Sequence, residues 1–272
     1  MKSIRLFTMV KDEVDIIEDW ILYHGYIFGF NNLHIIDNYS TDGTYDILLK
    51  YQREKNIFLI RENDYRRKGE FMRHLIKDRI NNNYDIAYPL DADEFIVLYQ
   101  NGKIDINNLR VYLQQLPNNH SNYKTNYIQS TISSDNDIGY RRATIECQNG
   151  IYANYNNYAK TFFNNRKWNG QIDHGNHCSN QKYYMTDICL IHFHSRNLNQ
   201  VKQKTINNVR GLGYDMNNLP QDKNLPGGHH VQRLRDIQEN KFQLDTNYTK
   251  NDSSIDLREF NNFILNLHKI YL

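Results

Sequence analysis

The segment YPLDADEF, residues 88–95, places the carboxylates of Asp91, Asp93 and Glu94 directly after an apolar run. Like charges this close repel one another, so folding alone does not favour the grouping. Residues i and i+2 of an extended chain point the same way, and we therefore expect Asp91 and Asp93 to face one ligand. Paired carboxylates suit Mg²⁺ or Mn²⁺, which keep coordination positions for phosphate oxygens and water. A surface turn with paired acids is the structural alternative.

The elements that would position this acidic pair alternate regularly over residues 1–100. Strands are predicted at 4–10, 32–37, 57–62 and 85–98, the last with a break at Pro89, and helices at 12–29, 40–54 and 69–82. Such alternation with short connections is typical of a parallel sheet flanked by helices. Ligands of these sheets bind beyond the carboxyl ends of the strands, where Asp37 and Asp91 both lie.

After residue 100 the alternation is less regular, and short strands mix with polar loops over 125–194. The sequence predicts an α/β fold in a single domain with a C-terminal extension. We expect a nucleotide-binding half over 1–100, a mixed acceptor half over 101–228 and a helical C-terminal tail over 229–272.

The composition excludes some classes of partner. The formal net charge of the 272 residues is +2, so no nucleic-acid partner is indicated. No apolar run approaches the length that a membrane-spanning helix needs, so we expect no membrane span. The three cysteines are few and odd in number, which favours free thiols in a reducing compartment and a cytoplasmic location. The sequence leaves the oligomeric state open.

Two more segments of the first half could bind a nucleotide diphosphate. The loop NYSTDGT, residues 38–44, contains Asp42 and joins a strand to a helix, where a base or ribose can be contacted. The segment 65–75 holds a basic run, and Arg73 could clamp a phosphate. Helix capping and a solvated basic face are the structural alternatives.

These segments, in this order, resemble a known family. The run MVKDEVDIIEDWILYHGYIFGFNNLHIIDNYSTDGTYDIL, residues 9–48, followed by LDADEF, residues 90–95, is similar to glycosyltransferase family 2-like and family 92-like enzymes. Their pattern includes KDE-x-D-I-I-E-x-W, a tyrosine–histidine pair, I-x-D-N-x-S-T-D-G-T and D-x-D-E-F. The likeness is close over 4–98 and looser to about residue 205. It implies a GT-A (Rossmann-like) fold with a mostly parallel central sheet.

The resemblance also implies roles for residues at the strand ends. Asp93 is implied to be the direct metal ligand, with Asp91 close to the ribose and the metal. Glu94 could orient water or sugar, or be a structural acid. The other residues implied to lie at the nucleotide sugar are Val10, Glu13, Asp37, Asp42 and Arg73.

A histidine pair in the second half could complete the metal shell. His192 and His194 share a face of the apolar strand in CLIHFHSRN, residues 189–197. HFHSRN resembles the family segment H-Y-x-x-(K/R)-S, with His192 and Arg196 in the histidine and basic positions and Asn197 in place of the serine. We therefore favour His192 as the third metal ligand. His194 is the competitor, and a buried core histidine is the structural alternative.

The segment WNGQIDHGNHCSN, residues 168–180, could supply the acceptor side. An inverting transferase needs a general base that takes the proton of the acceptor hydroxyl. We choose Asp173, in a polar loop beside glycines and histidines, with His174 as the competitor and a structural loop as the alternative. Lys160 is a candidate diphosphate contact, or a solvated lysine. Trp168 could stack on a sugar ring or belong to the core.

The expected function is a metal-dependent glycosyltransferase that uses Mn²⁺ or Mg²⁺. It would move a sugar with inversion from a nucleotide-diphosphate donor, with uridine implied by the resemblance, to a hydroxyl of a glycan, lipid-linked or protein acceptor. Two alternatives stay open. One is a zinc protein using the histidines and cysteines of residues 174–194, and the other is a nucleotide-sugar-binding module without turnover.

Overall fold

The computed structural model describes residues 2–80, 84–131, 147–153, 160–164, 167–168, 172–173, 175–176, 182–194, 196, 198–222, 224–241 and 254–272. The strands are β1 (Ile4–Val10), β2 (Leu33–Asp37), β3 (Phe58–Arg61), β4 (Ile86–Pro89), β5 (Glu94–Gln100), β6 (Lys103–Asp105), β7 (Asn122–Thr131), β8 (Asn149–Ala153), β9 (Thr161–Asn164), β10 (Tyr183–His192) and β11 (Ser254–Asp256). The helices are α1 (Ile17–Phe28), α2 (Thr44–Lys55), α3 (Lys68–Ile80), α4 (Leu109–Gln115), α5 (Leu198–Gly211), α6 (Gly228–Gln238) and α7 (Arg258–Tyr271). A membrane crossing would need a longer and more apolar helix than any of these.

The described strands form one sheet with a parallel half and a mixed half. Their order is β3-β2-β1-β4-β9-β7-β10-β5-β6, with β8 beside β7 and β11 beside β8. The first four are parallel neighbours, so their carboxyl ends meet at one edge. In the second half β10 runs parallel to β7 and antiparallel to β5. The predicted α/β fold, a central sheet flanked by helices with a mixed second half, is confirmed.

Side chains of β1 alternate between two apolar layers. Ile4, Leu6 and Val10 pack in the layer that contains residues of α1, α2 and α7. Phe7 and Met9 pack in the layer that contains residues of α3. Successive residues of a strand point to opposite faces, so helices on both faces bury nearly all of β1.

The loop after β1 delays the start of the first helix. The sequence predicts a helix from residue 12, but α1 begins at Ile17. Three successive backbone amides, those of residues 12–14, donate to side chains of the loop 38–44 instead of to helical carbonyls. The bonds run from Asp12 N to Ser40 Oγ (3.0 Å), from Glu13 N to Thr44 Oγ1 (2.9 Å) and from Val14 N to Asp42 Oδ2 (3.0 Å). The two motif segments KDEVD and STDGT therefore form one interlocked structure.

The C-terminal segment is built into the same core as the first helix. Phe260, Ile264 and Leu267 of α7 are buried in the layer that also contains α1. His268 Nε2 lies 2.5 Å from Asp19 Oδ1 on α1, and both side chains are buried. β11 pairs antiparallel with β8. The described part of the predicted helical tail thus contains a short strand besides its two helices.

Two adjacent aromatic residues of α1 hold strand β5. Tyr23 Oη donates to the Ile96 carbonyl at 2.7 Å, and the Ile96 amide donates to His24 Nε2 at 3.3 Å. His24 Nδ1 lies 3.0 Å from the Trp20 carbonyl and therefore carries the hydrogen of the neutral ring. Burial lowers the pKa of His24 to about 3. The tyrosine–histidine pair of the motif is thereby explained as a brace between α1 and β5.

We expect acidification to destabilise the fold through His24. Its pKa is lower in the folded state than the ordinary value of 6.5, so the unfolded state binds the proton first. Stability from this group is present above pH 6.5 and is lost as the pH falls toward 3. The loss should reach about 2 kcal/mol at about pH 5. Urea denaturation measures the free energy of unfolding. Between about pH 8 and about pH 5 this free energy should fall by about 2 kcal/mol less in His24→Gln than in wild type.

The matched control for this measurement is His74→Gln, at an exposed position of α3. The control should follow the wild-type pH profile. Identical profiles for wild type and His24→Gln would show that His24 does not carry the effect.

Candidate functional site

A tight turn between β4 and β5 carries the acidic pair. Asp91 and Asp93 do not lie on one extended strand, as the sequence suggests, because β4 ends at Pro89 and β5 begins at Glu94. The Glu94 amide donates to the Asp91 carbonyl at 3.1 Å and closes the turn. In consequence the two carboxylates contact different groups, and the expected common face is not observed.

Strand register brings the histidine pair to Asp93. His192 lies opposite Glu94 in the antiparallel pair β5–β10, and the Phe193 amide donates to the Asp93 carbonyl at 2.9 Å. Asp93, His192 and His194 each offer one ligand atom, and these atoms lie within 4.8 Å of one another. One carboxylate with two imidazoles suits a transition-metal dication such as Mn²⁺ better than Mg²⁺, which prefers oxygen ligands.

The imidazole of His192 is oriented as a metal ligand would be. β7 pairs His192 with Gln129, whose Oε1 lies 3.2 Å from His192 Nδ1. An amide oxygen only accepts, so Nδ1 carries a hydrogen, and Nε2 is the ring nitrogen left for a metal. That Nε2 lies 3.7 Å from Asp93 Oδ2. Gln129 therefore fixes the ring orientation in the way that outer partners fix metal-binding histidines.

His194 is less ready to bind a metal. Its Nε2 accepts a hydrogen bond from Arg233 Nη1 at 3.1 Å, which puts the hydrogen of the neutral ring on Nδ1. Burial, together with Lys204 and His192, holds the pKa of His194 well below its usual value. His194 could ligate only after Arg233 moves, so these contacts favour His192.

Asp93 is buried and paired with cations of the chain itself. Lys204 Nζ contacts Asp93 Oδ2, and Arg196 Nη1 lies 3.9 Å from the same oxygen. Burial would raise the pKa of Asp93, but Lys204 and His192 outweigh burial and hold it well below its ordinary range. The carboxylate is therefore ionised at neutral pH.

Arg196 joins the loop after β1 to this site. Its guanidinium is buried, contacts Glu13 Oε2, and has Nε 2.9 Å from Asp15 Oδ2. Burial would lower the pKa of Arg196, but Glu13 and Asp15 raise it above its usual value. Glu13, predicted to line a nucleoside pocket, is thus a counter-ion of the fold in this structure.

Asp91 lies in a second, closed cluster of charges. Lys68 Nζ is 2.7 Å from Asp91 Oδ1, and Lys160 Nζ is 2.6 Å from Oδ2. Lys160 also lies 2.7 Å from Glu94 Oε2, which in turn accepts the Asp91 amide at 2.9 Å. Burial would raise the pKa of Asp91, but the two lysines hold it well below its usual value. A metal or ribose contact by Asp91 would require a lysine to move, and the contacts of Glu94 Oε2 agree with the structural alternative for this acid.

The segment near residue 173 is tied to the Asp91 cluster. Asn176 Nδ2 donates to Asp91 Oδ1 at 3.1 Å. Arg73 Nη1, expected to clamp a phosphate, donates instead to the Ile172 carbonyl at 3.3 Å. These two bonds hold the segment against α3 and the turn that carries the acids.

Asp173 is exposed on this segment, and its Oδ1 accepts the Gly175 amide at 2.9 Å. Its competitor as general base, His174, lies outside the described residues. The ring of Trp168 stacks on Phe163 at 5.1 Å between centroids and packs against the second apolar layer. This packing agrees with the core alternative for Trp168.

The predicted nucleotide residues at the ends of β1 and β2 are engaged in the fold. Asp37 is fully buried and accepts from Arg61 Nε at 2.8 Å. Asp42, which binds a backbone amide of the β1 loop, also accepts from Thr44 Oγ1 at 2.6 Å. Val10 is a buried core residue opposite Asp37 in the β1–β2 register. The strand ends are brought together as predicted, and their nucleotide contacts stay a prediction.

The described cysteines do not join the metal-ligand cluster. Cys189 belongs to the main apolar layer, and burial raises the pKa of its thiol to about 12. Cys147 is also buried. His177 and Cys178, which the zinc alternative needs, lie outside the described residues. Among the described residues, Cys189 therefore does not lie where the zinc alternative needs a ligand.

Several residues of the site were missed by the sequence analysis, namely Asp15, Gln129, Asn176, Lys204 and Arg233. Gln129 could have been found from alternation along β7, had its register with β10 been known. The others carry no local signal, because each is defined by a partner far away in sequence.

Comparison with known proteins gives structural likeness without sequence likeness. No family model and no curated protein matches the sequence. A mannosyltransferase from Pyrobaculum calidifontis, solved with GDP-Man and Mn²⁺, is 10% identical over 98% of this chain and 85% of its own, with a TM-score of 0.41. S. aureus TarS 1-349 in complex with UDP is 13% identical over 61% of this chain and 47% of its own, with a TM-score of 0.33.

A cytidylyltransferase from Leptospira borgpetersenii is 10% identical over 46% of this chain and 54% of its own, with a TM-score of 0.31. The matches thus span about half the length of the cytidylyltransferase and of the TarS fragment.

Arg196→Met should destabilise the protein by about 3–5 kcal/mol, because it leaves Glu13 and Asp15 buried without their cation. The measurement is the free energy of unfolding in urea at neutral pH. The matched control is Arg258→Met, which removes an arginine from an exposed pair with Asp256 and should leave stability unchanged within error. Equal stabilities of the two variants would show that the Arg196 pairs are not important to the fold.

Proposed function

We propose that this protein is a metal-dependent glycosyltransferase that transfers a sugar from a nucleotide-diphosphate donor, foremost a UDP-sugar, to a hydroxyl group with inversion. The observation that carries the proposal is the pair Asp93–His192, a buried ionised carboxylate whose Oδ2 lies 3.7 Å from His192 Nε2. The pair follows β4 at the carboxyl edge of the parallel strands, where α/β sheets bind ligands. The motifs of residues 9–48 and 90–95 support the sugar-nucleotide class of ligand.

Mn²⁺ is the cation that these residues fit. Asp93 and His192 would hold it, and His194 would join them once Arg233 has moved. When bound, the dication would neutralise charge on the departing nucleotide diphosphate. Asp91 was expected as a further ligand, and we propose for it a place beside the ribose and the metal, with Lys68 or Lys160 released to the donor.

The donor is proposed to lie along the carboxyl edge of the parallel strands. Lys160 and Arg73 would contact its diphosphate, because Lys160 is paired with Asp91 and Arg73 holds the 172–176 segment that reaches Asp91 through Asn176. The residues proposed to lie at the nucleoside are Val10, Glu13, Asp37 and Asp42.

Asp173 is proposed as the general base that takes the proton from the acceptor hydroxyl. Its exposed position suits contact with an incoming acceptor, and Asn176 links its segment directly to Asp91. His174 is the alternative base. The acceptor oxygen would bond to the anomeric carbon on the side opposite the breaking bond to the diphosphate, and this displacement would invert that carbon.

Nucleotide-diphosphate release from a panel of nucleotide sugars with Mn²⁺ tests this function directly. Asp93→Asn should lower the rate by about 10²–10³-fold, because it removes an electrostatic stabiliser of the departing charge. Asp256→Asn, at an exposed position far along the chain, should keep the wild-type rate. If the wild type binds a donor but releases no nucleotide diphosphate with any of the acceptors tested, the protein would instead be a binding module.

Metal preference should follow the donor set. After chelation, Mn²⁺ should restore release more fully than Mg²⁺ at equal concentration, because one ligand is an imidazole. His192→Asp replaces that imidazole by oxygen and should move the preference toward Mg²⁺. His194→Asn should change the ratio of the two rates less, because Arg233 already holds its Nε2. Equal shifts in both variants would contradict the choice of His192.

A further inference from the structure

Lys204 occupies the side of Asp93 that the proposed metal would need. Its ammonium contacts Asp93 Oδ2, and this same oxygen faces His192 Nε2 at 3.7 Å. A dication bound between that oxygen and that nitrogen would lie within a few Å of the ammonium. Two cations on one buried oxygen repel strongly, because little water screens them. Lys204 and the metal therefore exclude each other.

Of the two cations at Asp93, Lys204 is the one that can leave. Arg196 is fully buried and held by two carboxylates, one of them Asp15 at 2.9 Å. The side chain of Lys204 is 22% exposed, and Glu13 Oε1 lies 4.0 Å from its ammonium as a second partner. Its flexible stem allows movement without a change in helix α5, on which it lies.

The charges near Asp93 show what the exchange would require. Among the described residues, three carboxylates, those of Asp93, Glu13 and Asp15, face two cations, Arg196 and Lys204. A dication added while Lys204 stays would give the group an excess of positive charge. Displacement of Lys204 removes that excess, and an anionic ligand such as a diphosphate could then bind both the metal and the displaced ammonium.

We propose that Lys204 is an exchangeable counter-cation, which holds Asp93 until a divalent metal displaces it. The inference rests on the proposed function for the identity of the anionic ligand, a nucleotide diphosphate. Metal alone binds weakly, because it has to break the Asp93–Lys204 pair. Metal with a nucleotide diphosphate binds more tightly, because the released ammonium gains a phosphate partner.

The test measures Mn²⁺ binding to the full chain without turnover, by the electron paramagnetic resonance signal of free Mn²⁺. Lys204→Met should bind Mn²⁺ alone at least about tenfold more tightly than wild type, because the competing cation is gone. UDP should tighten Mn²⁺ binding to wild type, and tighten it less in Lys204→Met. Lys204→Arg keeps the charge and should bind Mn²⁺ as weakly as wild type.

The matched control is Lys202→Met, the same substitution two residues earlier on α5, which should leave Mn²⁺ affinity unchanged. The double variant Asp93→Asn with Lys204→Met should not show the tighter Mn²⁺ binding of Lys204→Met. That loss would show that the additional Mn²⁺ affinity depends on Asp93. If circular dichroism shows that Lys204→Met does not fold, Lys204→Gln gives the same comparison with a polar neutral side chain.

If the neutral Lys204 variants bind Mn²⁺ as weakly as wild type, or more weakly, the proposed exchange is wrong. Release of nucleotide diphosphate by wild type would in that case still support the glycosyltransferase function. Tighter Mn²⁺ binding in these variants, with no nucleotide diphosphate bound or released, would support displacement of Lys204 and overturn the proposed function.

Discussion

The carboxylate of Asp93 cannot be buried without positive charge beside it, and much of the second half of the chain supplies that charge. An ion taken out of water loses several kcal/mol unless partners compensate for it. Lys204 comes from α5 and Arg196 from the segment before it, while His192 at the end of β10 places a ring nitrogen beside the same carboxylate. The sheet has to place β10 next to β5, out of chain order, for these groups to meet at one turn.

The two aspartates of the D-x-D motif have become chemically different, although one residue separates them. Asp91 is enclosed by two lysines, both nearly buried, and by Asn176. Asp93 faces Nε2 of His192 and a lysine that reaches solvent. The turn between β4 and β5 produces this difference, because it directs the two side chains to separate sets of partners. In this structure Asp91 is therefore paired with nearly buried lysines, whereas the lysine partner of Asp93 is partly exposed.

The sequence analysis was most successful where structure is set locally. The first three strands and helices follow from apolar periodicity and turn residues, within a few positions of their observed bounds. The start of α1 was wrong because side chains of the loop 38–44 take the amides that would begin the helix. That competition links two segments of the chain, so no window of sequence contains it.

The candidate site shows the same limit more sharply. Alternation along one strand was enough to single out His192 and His194 as a pair. The pair Arg196–Glu13 joins residues 183 positions apart, and Lys204–Asp93 joins residues 111 apart. Composition and motifs show which charges exist, but only the strand order decides which of them meet.

The order of strands also affects the protein while it is being made. β5 leaves the ribosome well before β10, its neighbour in the sheet, and before Arg196 and Lys204, the cations beside Asp93. During that interval Tyr23 and His24 can already hold Ile96, whereas the flank awaiting β10 is uncovered. Exposed strand edges pair readily with other chains. Chaperones that shield nascent polypeptides would therefore matter most to this protein during translation of residues 101–192.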